Sequence, residues 1–265
     1  MAVFFFDLSA IIHSMAQRYK CKIAYDGTAY GGWQVQPTSI TIQSLIQEAL
    51  ARLHKTKIHV TASGRTDSGV HALAQVAHFD AETPVNIRAL NGILPRDIRI
   101  LSITPIEKDF HARYSATGKT YRYHLSLGEA HDPFTRQYSH HMFYTLDPEL
   151  LTAAAAQFIG THDFTSFANS ASEGAASKNA VRTITKCAVI PTDFGYTIEV
   201  SGNGFLYKMV RNIVGCLIQI ATGKLPLETI THLLKAKDRT LAPPAAPAKG
   251  LFLCQVHYPE RFSCE

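Results

Sequence analysis

The run Gly64–Arg65–Thr66–Asp67–Ser68–Gly69–Val70–His71–Ala72 gathers several chemically able side chains into nine residues. Asp67 is a carboxylate, a group that can attack an electrophilic carbon or accept a proton. Arg65, two residues before it, supplies a counter-charge. Gly64 and Gly69 bracket the acid and give the backbone the freedom that a tight, exposed loop needs. Two readings stand on the residues alone: a capped turn in which Asp67 bonds local backbone, or a presented reactive acid. His71 reads as a hydrogen-bonded structural histidine, because no second ligand lies near it in sequence.

The elements on either side must hold that loop. Residues 57–62 are rich in β-branched side chains and residues 73–79 alternate apolar with polar, so the acid falls between two strands. Earlier, 19–25 reads as a strand and 42–53 as a helix capped by Thr41, with Ile42, Leu45, Ile46, Leu50 and Leu53 on one face. A helix over 85–93 stops before Pro95, and a strand over 97–106 follows. The order β-α-β-β-α-β is that of a ferredoxin-like split unit, a body used by RNA-recognition domains.

A second unit begins near Arg113. In the strand 117–125, Tyr121 and Tyr123 share one face while Thr120, Arg122 and His124 share the other. A helix over 148–158, a loop over 162–167 and a small, polar, mobile stretch over 171–179 come next. Strands over 182–190 and 196–201 lead into a helix over 205–222. Its apolar stripe is Leu206, Met209, Val210, Ile213 and Leu217, with Lys208 and Arg211 on a different face. A helix over 227–236, a Pro/Ala-rich turn over 242–248 and a strand over 251–257 close the chain. No short repeat and no Gly/Ser linker divides it. The expected fold class is therefore α+β, with two ferredoxin-like units of mostly antiparallel sheet packed as one body. The expected divisions are 1–17, an N-terminal extension; 18–112, the unit carrying the acid; and 113–265, the unit completing the site.

The chain has 265 residues, 46% hydrophobic and 18% charged, an ordinary globular composition with a net charge of +5. That balance permits a polyanionic partner without demanding one. Five scattered cysteines with no CxxC spacing give neither a disulfide framework nor a zinc knuckle. Thirteen dispersed histidines give no metal-binding spacing, so no metal is assigned. The apolar N-terminal stretch is interrupted by Asp7 and is too short to span a bilayer. Met15 reads as a natural start, with residues 1–14 as an upstream extension.

Further blocks carry a resemblance. YDGTAYGGWQVQ (25–36), LNGILPRDI (90–98), FHARYSATGKTYRY (110–123), HDFTSFA (162–168), GNGFLYKMVRNIVG (202–215) and APAKGLFL (246–253), together with GRTDSGVHA, resemble the tRNA pseudouridine synthase A family in its order. The similarity covers nearly the whole chain from Arg18. Ser68 stands where the family commonly has alanine, and Phe252 where it often has tyrosine. The resemblance implies a cofactor-independent isomerase converting uridine to pseudouridine at positions 38, 39 and 40 of the tRNA anticodon stem-loop. It implies a cytoplasmic homodimer that grips tRNA across both subunits, with no membrane or metal. It makes Asp67 the catalytic residue, as nucleophile or base. Tyr121 becomes the aromatic that stacks on the base and transfers a proton, Arg65 the side chain that serves base flipping, and Arg211 the partner that orients Asp67.

The isomerisation needs no redox step, phosphoryl transfer or added water, so the chemistry itself calls for no cofactor. A flipped base calls for an aromatic platform and for cations on the phosphates. Lys119, Arg122, Lys178, Arg182, Lys186 and Lys208 are candidates for that basic face, with Lys119, Arg182 and Lys208 taken with Tyr121 as the substrate-binding set. Tyr25, Asp26, Tyr30 and Trp33 either line an RNA surface or, for Trp33, anchor the core. Two rivals differ in kind. A catalytically silent RNA-binding protein of the same body would not need Asp67. A metal hydrolase built on Asp67 and His71 would need a ligand cluster.

Overall fold

Alternation sets the first strand: Tyr19, Cys21, Ile23 and Tyr25 of β1 (Gln17–Tyr25) are buried while Gln17 and Lys22 are exposed. The computed structural model describes residues 16–169 and 179–263. Residues 1–15 of the expected 1–17 extension, the start at Met15 and nearly all of the expected mobile stretch lie outside those residues, whereas Gln17, assigned to the extension, belongs to the first strand. β1 begins at Gln17, two residues earlier than its pattern suggests, because Gln17 already pairs with Ala81.

α1 (Ile42–His54) starts where expected, with Thr41 and Ser44 closing a reciprocal capping box. The strand expected over 57–62 shrinks to β2 (Thr61–Ala62). The backbone of Val60 is instead bonded by side chains of α1: Gln47 Oε1 accepts from its N–H at 3.0 Å and Gln43 Nε2 donates to its carbonyl at 2.8 Å. β3 (His71–Ala81), α2 (Ile87–Ile93, capped by Asn86) and β4 (Ile98–Ile106) complete this half. Its strands run β4-β1-β3-β2, all antiparallel.

The second half contains β5 (Gly118–Leu127), β6 (His140–Met142), α3 (Pro148–Ala156), β7 (Gly160–Asp163), β8 (Val181–Thr192), β9 (Gly195–Gly202), α4 (Met209–Ala221), α5 (Thr229–Ala236) and β10 (Leu251–His257). β6 was not visible in the sequence pattern. It pairs with the end of β5 beyond the residues that β10 covers. α4 begins four residues later than expected, because Lys208 sits in the left-handed region at φ 59° and forms its cap. Lys208 and Arg211 therefore do not share a helix face, which corrects the sequence reading.

The described strands form one sheet, not two, in the order β4-β1-β3-β10-β5-β9-β8-β7. The join is a short parallel pairing of β3 with β10 at Phe252–His71 and Leu253–Ala72. Leu253 also pairs with Tyr121 on its other side. One residue of β10 thus separates the start of β3, just after the Asp67 loop, from Tyr121 on β5. At strand spacing that is a gap of roughly 10 Å. Among the described residues no helix is long and apolar enough to cross a membrane.

Candidate active site

The Asp67 loop is held from behind by buried polar groups. Gln75, fully buried on β3, accepts from the Ser63 hydroxyl at 2.7 Å and donates to the Gly64 carbonyl at 3.0 Å. Tyr25 and Thr66 share a hydrogen bond of 2.8 Å between their hydroxyls, and the Trp33 N–H donates to the Thr66 carbonyl at 3.1 Å. Gly32 makes that approach possible: at φ +90° a Cβ there would meet the Thr66 carbonyl oxygen at 2.5 Å. Gly69, at φ +76°, completes the turn that returns the chain to β3. Successive residues before the acid are tied to the core, so its backbone is preorganised.

Asp67 itself projects towards α4. Its Oδ2 accepts from Arg211 Nη1 at 2.7 Å, and both side chains are mostly shielded, 16% and 14% exposed. The guanidinium is aimed by a second bond, Nε to the Ala246 carbonyl at 2.8 Å. The Ala246 N–H in turn donates to the Arg211 carbonyl at 2.9 Å. An arginine held at backbone and side chain by one residue offers the acid a fixed charge-assisted partner.

A cleft of about 870 Å³ opens beside this pair. It is lined by Asp67 and Arg65 of the loop, Lys119 and Tyr121 of β5, Arg182 of β8 and Lys208 before α4. Tyr121 is buried, with its ring edge-on to Phe205 at 5.0 Å. Burial, with Tyr25 and the Asp67 charge adding to it, pushes its hydroxyl well above the ordinary tyrosine range. That hydroxyl has no hydrogen-bond partner among the described residues and is left to whatever enters the cleft. Arg65 is exposed at the rim, where its Nε donates to Gln34 Oε1 at 3.2 Å. Lys119 Nζ donates to the Ser63 carbonyl at 2.8 Å. Burial, then the nearby Arg113 charge, lowers its ammonium to about 8. Arg182 is shifted down by the same two causes.

Arg122 and Lys186 do not join this face. They bind the two oxygens of Glu199 at 2.7 Å and 2.8 Å, and so the basic set read from the sequence is divided. Lys178 lies outside the described residues. Tyr25, Tyr30 and Trp33 are buried, Trp33 only 1% exposed, so they build the core behind the loop and offer no RNA surface. Asp26 is spent on Thr28 and on the Tyr138 hydroxyl, and its Oδ1 lies 3.1 Å from His71 Nδ1. His71 is buried with both ring nitrogens engaged: Nδ1 accepts from the Gly27 N–H at 3.0 Å, and Nε2 lies 3.2 Å from the Lys249 carbonyl. Burial outweighs the opposing pull of the Asp26 carboxylate and lowers the His71 pKa, which fits a structural ring with neither nitrogen left for a metal. Among the described residues no group of three or more His, Cys, Asp or Glu side chains is placed to hold a metal ion. Ser68 donates to the Tyr30 carbonyl at 3.0 Å and Phe252 stacks on His71 at 4.5 Å, so both departures from the family pattern are absorbed in packing.

Sequence reasoning passed over Arg113, Tyr114, His111, His59 and Tyr207, all of which line the cleft. The signal was present in Arg113–Tyr114 and Tyr207–Lys208, where a cation adjoins an aromatic inside a recognised block. Among the described residues Asp67 is the one acid lining the cleft, against the cations Arg65, Arg113, Lys119, Arg182 and Lys208.

An α+β body whose cleft sets one braced carboxylate among cations is built to act on a polyanion. The comparisons with known proteins make the class specific. A family profile described as tRNA pseudouridine synthase matches residues 22–115 and 154–259. The chain is 50% identical over 251 residues to tRNA pseudouridine synthase A 1 of Protochlamydia amoebophila (strain UWE25), covering 93% of this chain and 98% of that one. It is 43% identical over 251 residues to tRNA pseudouridine synthase A of Latilactobacillus sakei subsp. sakei (strain 23K), covering 92% and 100%. To the enzyme of that name from Shouchella clausii (strain KSM-K16) it is 45% identical over 246 residues, covering 91% and 93%. The chain belongs to the tRNA pseudouridine synthase family, a family of isomerases that act on tRNA.

Proposed function

We propose that this protein isomerises uridine to pseudouridine at positions 38, 39 and 40 in the anticodon stem-loop of tRNA, with Asp67 as the catalytic residue. The N1–C1′ bond of the nucleotide breaks, the uracil turns within the cleft, and C5 bonds to C1′. The C5 proton leaves and N1 ends protonated, so atoms balance without a cofactor. Asp67 either attacks C1′ or takes a ribose proton while positive charge develops there; both roles need a carboxylate held beside the sugar. Arg211 orients it. Tyr121 stacks on the detached base. Its hydroxyl, held protonated by burial, moves the C5 proton only by giving up its own in the same event. Arg65, at the rim, fills the place the flipped base leaves. Lys119, Arg182 and Lys208 take phosphates.

The observation that carries this reading is the Arg211–Asp67 pair, 2.7 Å apart, set in a cleft whose other charged lining side chains are cations. In this reading 18–112 and 113–265 are two ferredoxin-like units. Support comes from the strand order: β4-β1-β3-β2 runs fourth, first, third, second, and so does β10-β5-β9-β8 when the added strands β6 and β7 are left aside. The enzyme works as a cytoplasmic homodimer gripping tRNA across both subunits. The test is to map pseudouridine in tRNA from cells lacking the protein and complemented with the parent or with Asp67→Asn. Loss of the modification at 38–40, restored only by the parent, is the expected result. Restoration by Asp67→Asn would overturn the assignment and favour an RNA-binding protein without catalysis.

A further inference from the structure

We infer that Tyr114 and Tyr207 are stacking platforms for the nucleobases flanking the reacting uridine, an inference that rests on the reading above. Both line the cleft, from different parts of the chain: Tyr114 lies between β4 and β5, and Tyr207 between β9 and α4. Both rings are exposed, 78% and 45%. Each carries its own cation. The Arg113 guanidinium lies 5.9 Å from the centre of the Tyr114 ring, and Lys208 Nζ lies 5.2 Å from that of Tyr207.

Neither hydroxyl has a hydrogen-bond partner among the described residues. Those of Tyr30, Tyr123, Tyr138 and Tyr258 all donate to one. The two rings are therefore not held by their polar ends. Their backbones are fixed instead. His111 Nδ1 accepts from the N–H groups of Arg113 and Tyr114 at 3.1 Å and 3.2 Å, and its ring lies 4.3 Å from that of Tyr114. The Tyr207 carbonyl accepts from the Asn169 N–H at 3.1 Å, and the left-handed Lys208 turns the chain immediately after it. Other exposed aromatics, Phe134, Phe143, Tyr144 and Phe194, have no place in the cleft lining.

The chemistry follows from base flipping. When one base leaves a stacked run, the bases on either side lose a neighbour. An exposed aromatic ring replaces that contact for any base, and an adjacent cation meets the phosphate of the same nucleotide. Two such ring-and-cation pairs fit one flipped nucleotide with a neighbour on each side. Sequence tolerance is expected, since every base has a π-face.

The test uses the full chain and a tRNA transcript with 2-aminopurine beside the target uridine. Tyr114→Ala and Tyr207→Ala should each raise KM about tenfold, and Tyr→Phe at either position should stay within about twofold of the parent. Aminopurine emission should stay low on binding the parent, where a ring replaces the lost neighbour, and rise with the alanine variants. The slope of log K against log salt should not change, because a ring neutralises no phosphate. Parent-like KM and emission in both alanine variants would overturn the inference. So would a slope shallower by about one unit, which would mean that the ring only positions its cation on a phosphate. If the parent binds tRNA but makes no pseudouridine, the catalytic reading falls, while binding and emission still decide the platforms. If it binds no tRNA, both fall.

Discussion

Two basic clusters sit on opposite faces of the same sheet, and their fates differ. On the open face Arg122 and Lys186 share Glu199, whose carboxylate the two cations hold below its usual range. On the cleft face Arg113, Lys119 and Arg182 crowd together, with no acid among them in the described residues. Burial and mutual repulsion lower the pKa of Lys119 and of Arg182. The first cluster is satisfied within the protein. Among the described residues the second has no acid in its lining but Asp67, which is already paired with Arg211, so its charge is open to an external anion. A net charge of +5 says nothing of this division. What matters is which cations the fold has already neutralised.

The strongest way to probe the contrast is to remove the acid of the cleft lining, Asp67. Asp67→Asn keeps the loop's shape and its core ties but loses the carboxylate. Turnover should fall about a thousandfold or more, while tRNA affinity changes by less than about tenfold. Turnover near the parent rate would sink the assignment of Asp67.

Next in size is the contrast between the faces. Arg182→Ala should weaken tRNA binding several-fold and shallow the slope of log K against log salt by about one unit, whereas Arg122→Ala should leave that slope alone. Equal slopes in the two variants would mean that the phosphates follow another surface.

Smaller still is a pH effect with opposite signs in binding and stability. Burial, then the Arg113 charge, brings the Lys119 ammonium down to about 8 in the folded protein, from the ordinary lysine value of 10.5. Between those values the unfolded chain holds more protons than the native one, so the Lys119 contribution to stability rises with pH across that window. Over the same rise the cleft loses a cation, and tRNA affinity should decline from pH 7 to 9. Lys119→Arg should flatten the affinity profile, and Lys119→Met should remove the gain in stability. Titrations of binding and of urea unfolding across pH 7–10 check both signs.

The least effect is expected on the open face. Glu199→Gln should cost about 1 kcal/mol of stability, since its partners are half exposed and water screens them. Turnover should hold, and weak non-specific RNA binding should increase because two cations are released. A large loss of turnover would show that the two faces are coupled through β5 and β9.

Much of this was legible in the chain itself. The glycine-bracketed loop, the capped α1 and the alternation in β1 and β5 follow from backbone sterics and periodicity, which act over a few residues. That alternation already put Arg122 on the face opposite Tyr121. Resemblance in ordered blocks drew Asp67, Tyr121 and Arg211 together before any coordinates. The tertiary structure decided the rest. Arg182 and Lys186, four apart in β8, would share a face in a regular strand. The register shift between Ile184 and Lys186 puts one in the cleft and the other on Glu199. Likewise Arg211 lies 144 positions from Asp67, and the pairings of Phe252 and Leu253 with both β3 and β5 join the halves so that they meet. Local preference writes the strands. Which faces meet depends on pairings between residues far apart in sequence, whose partners no short window contains.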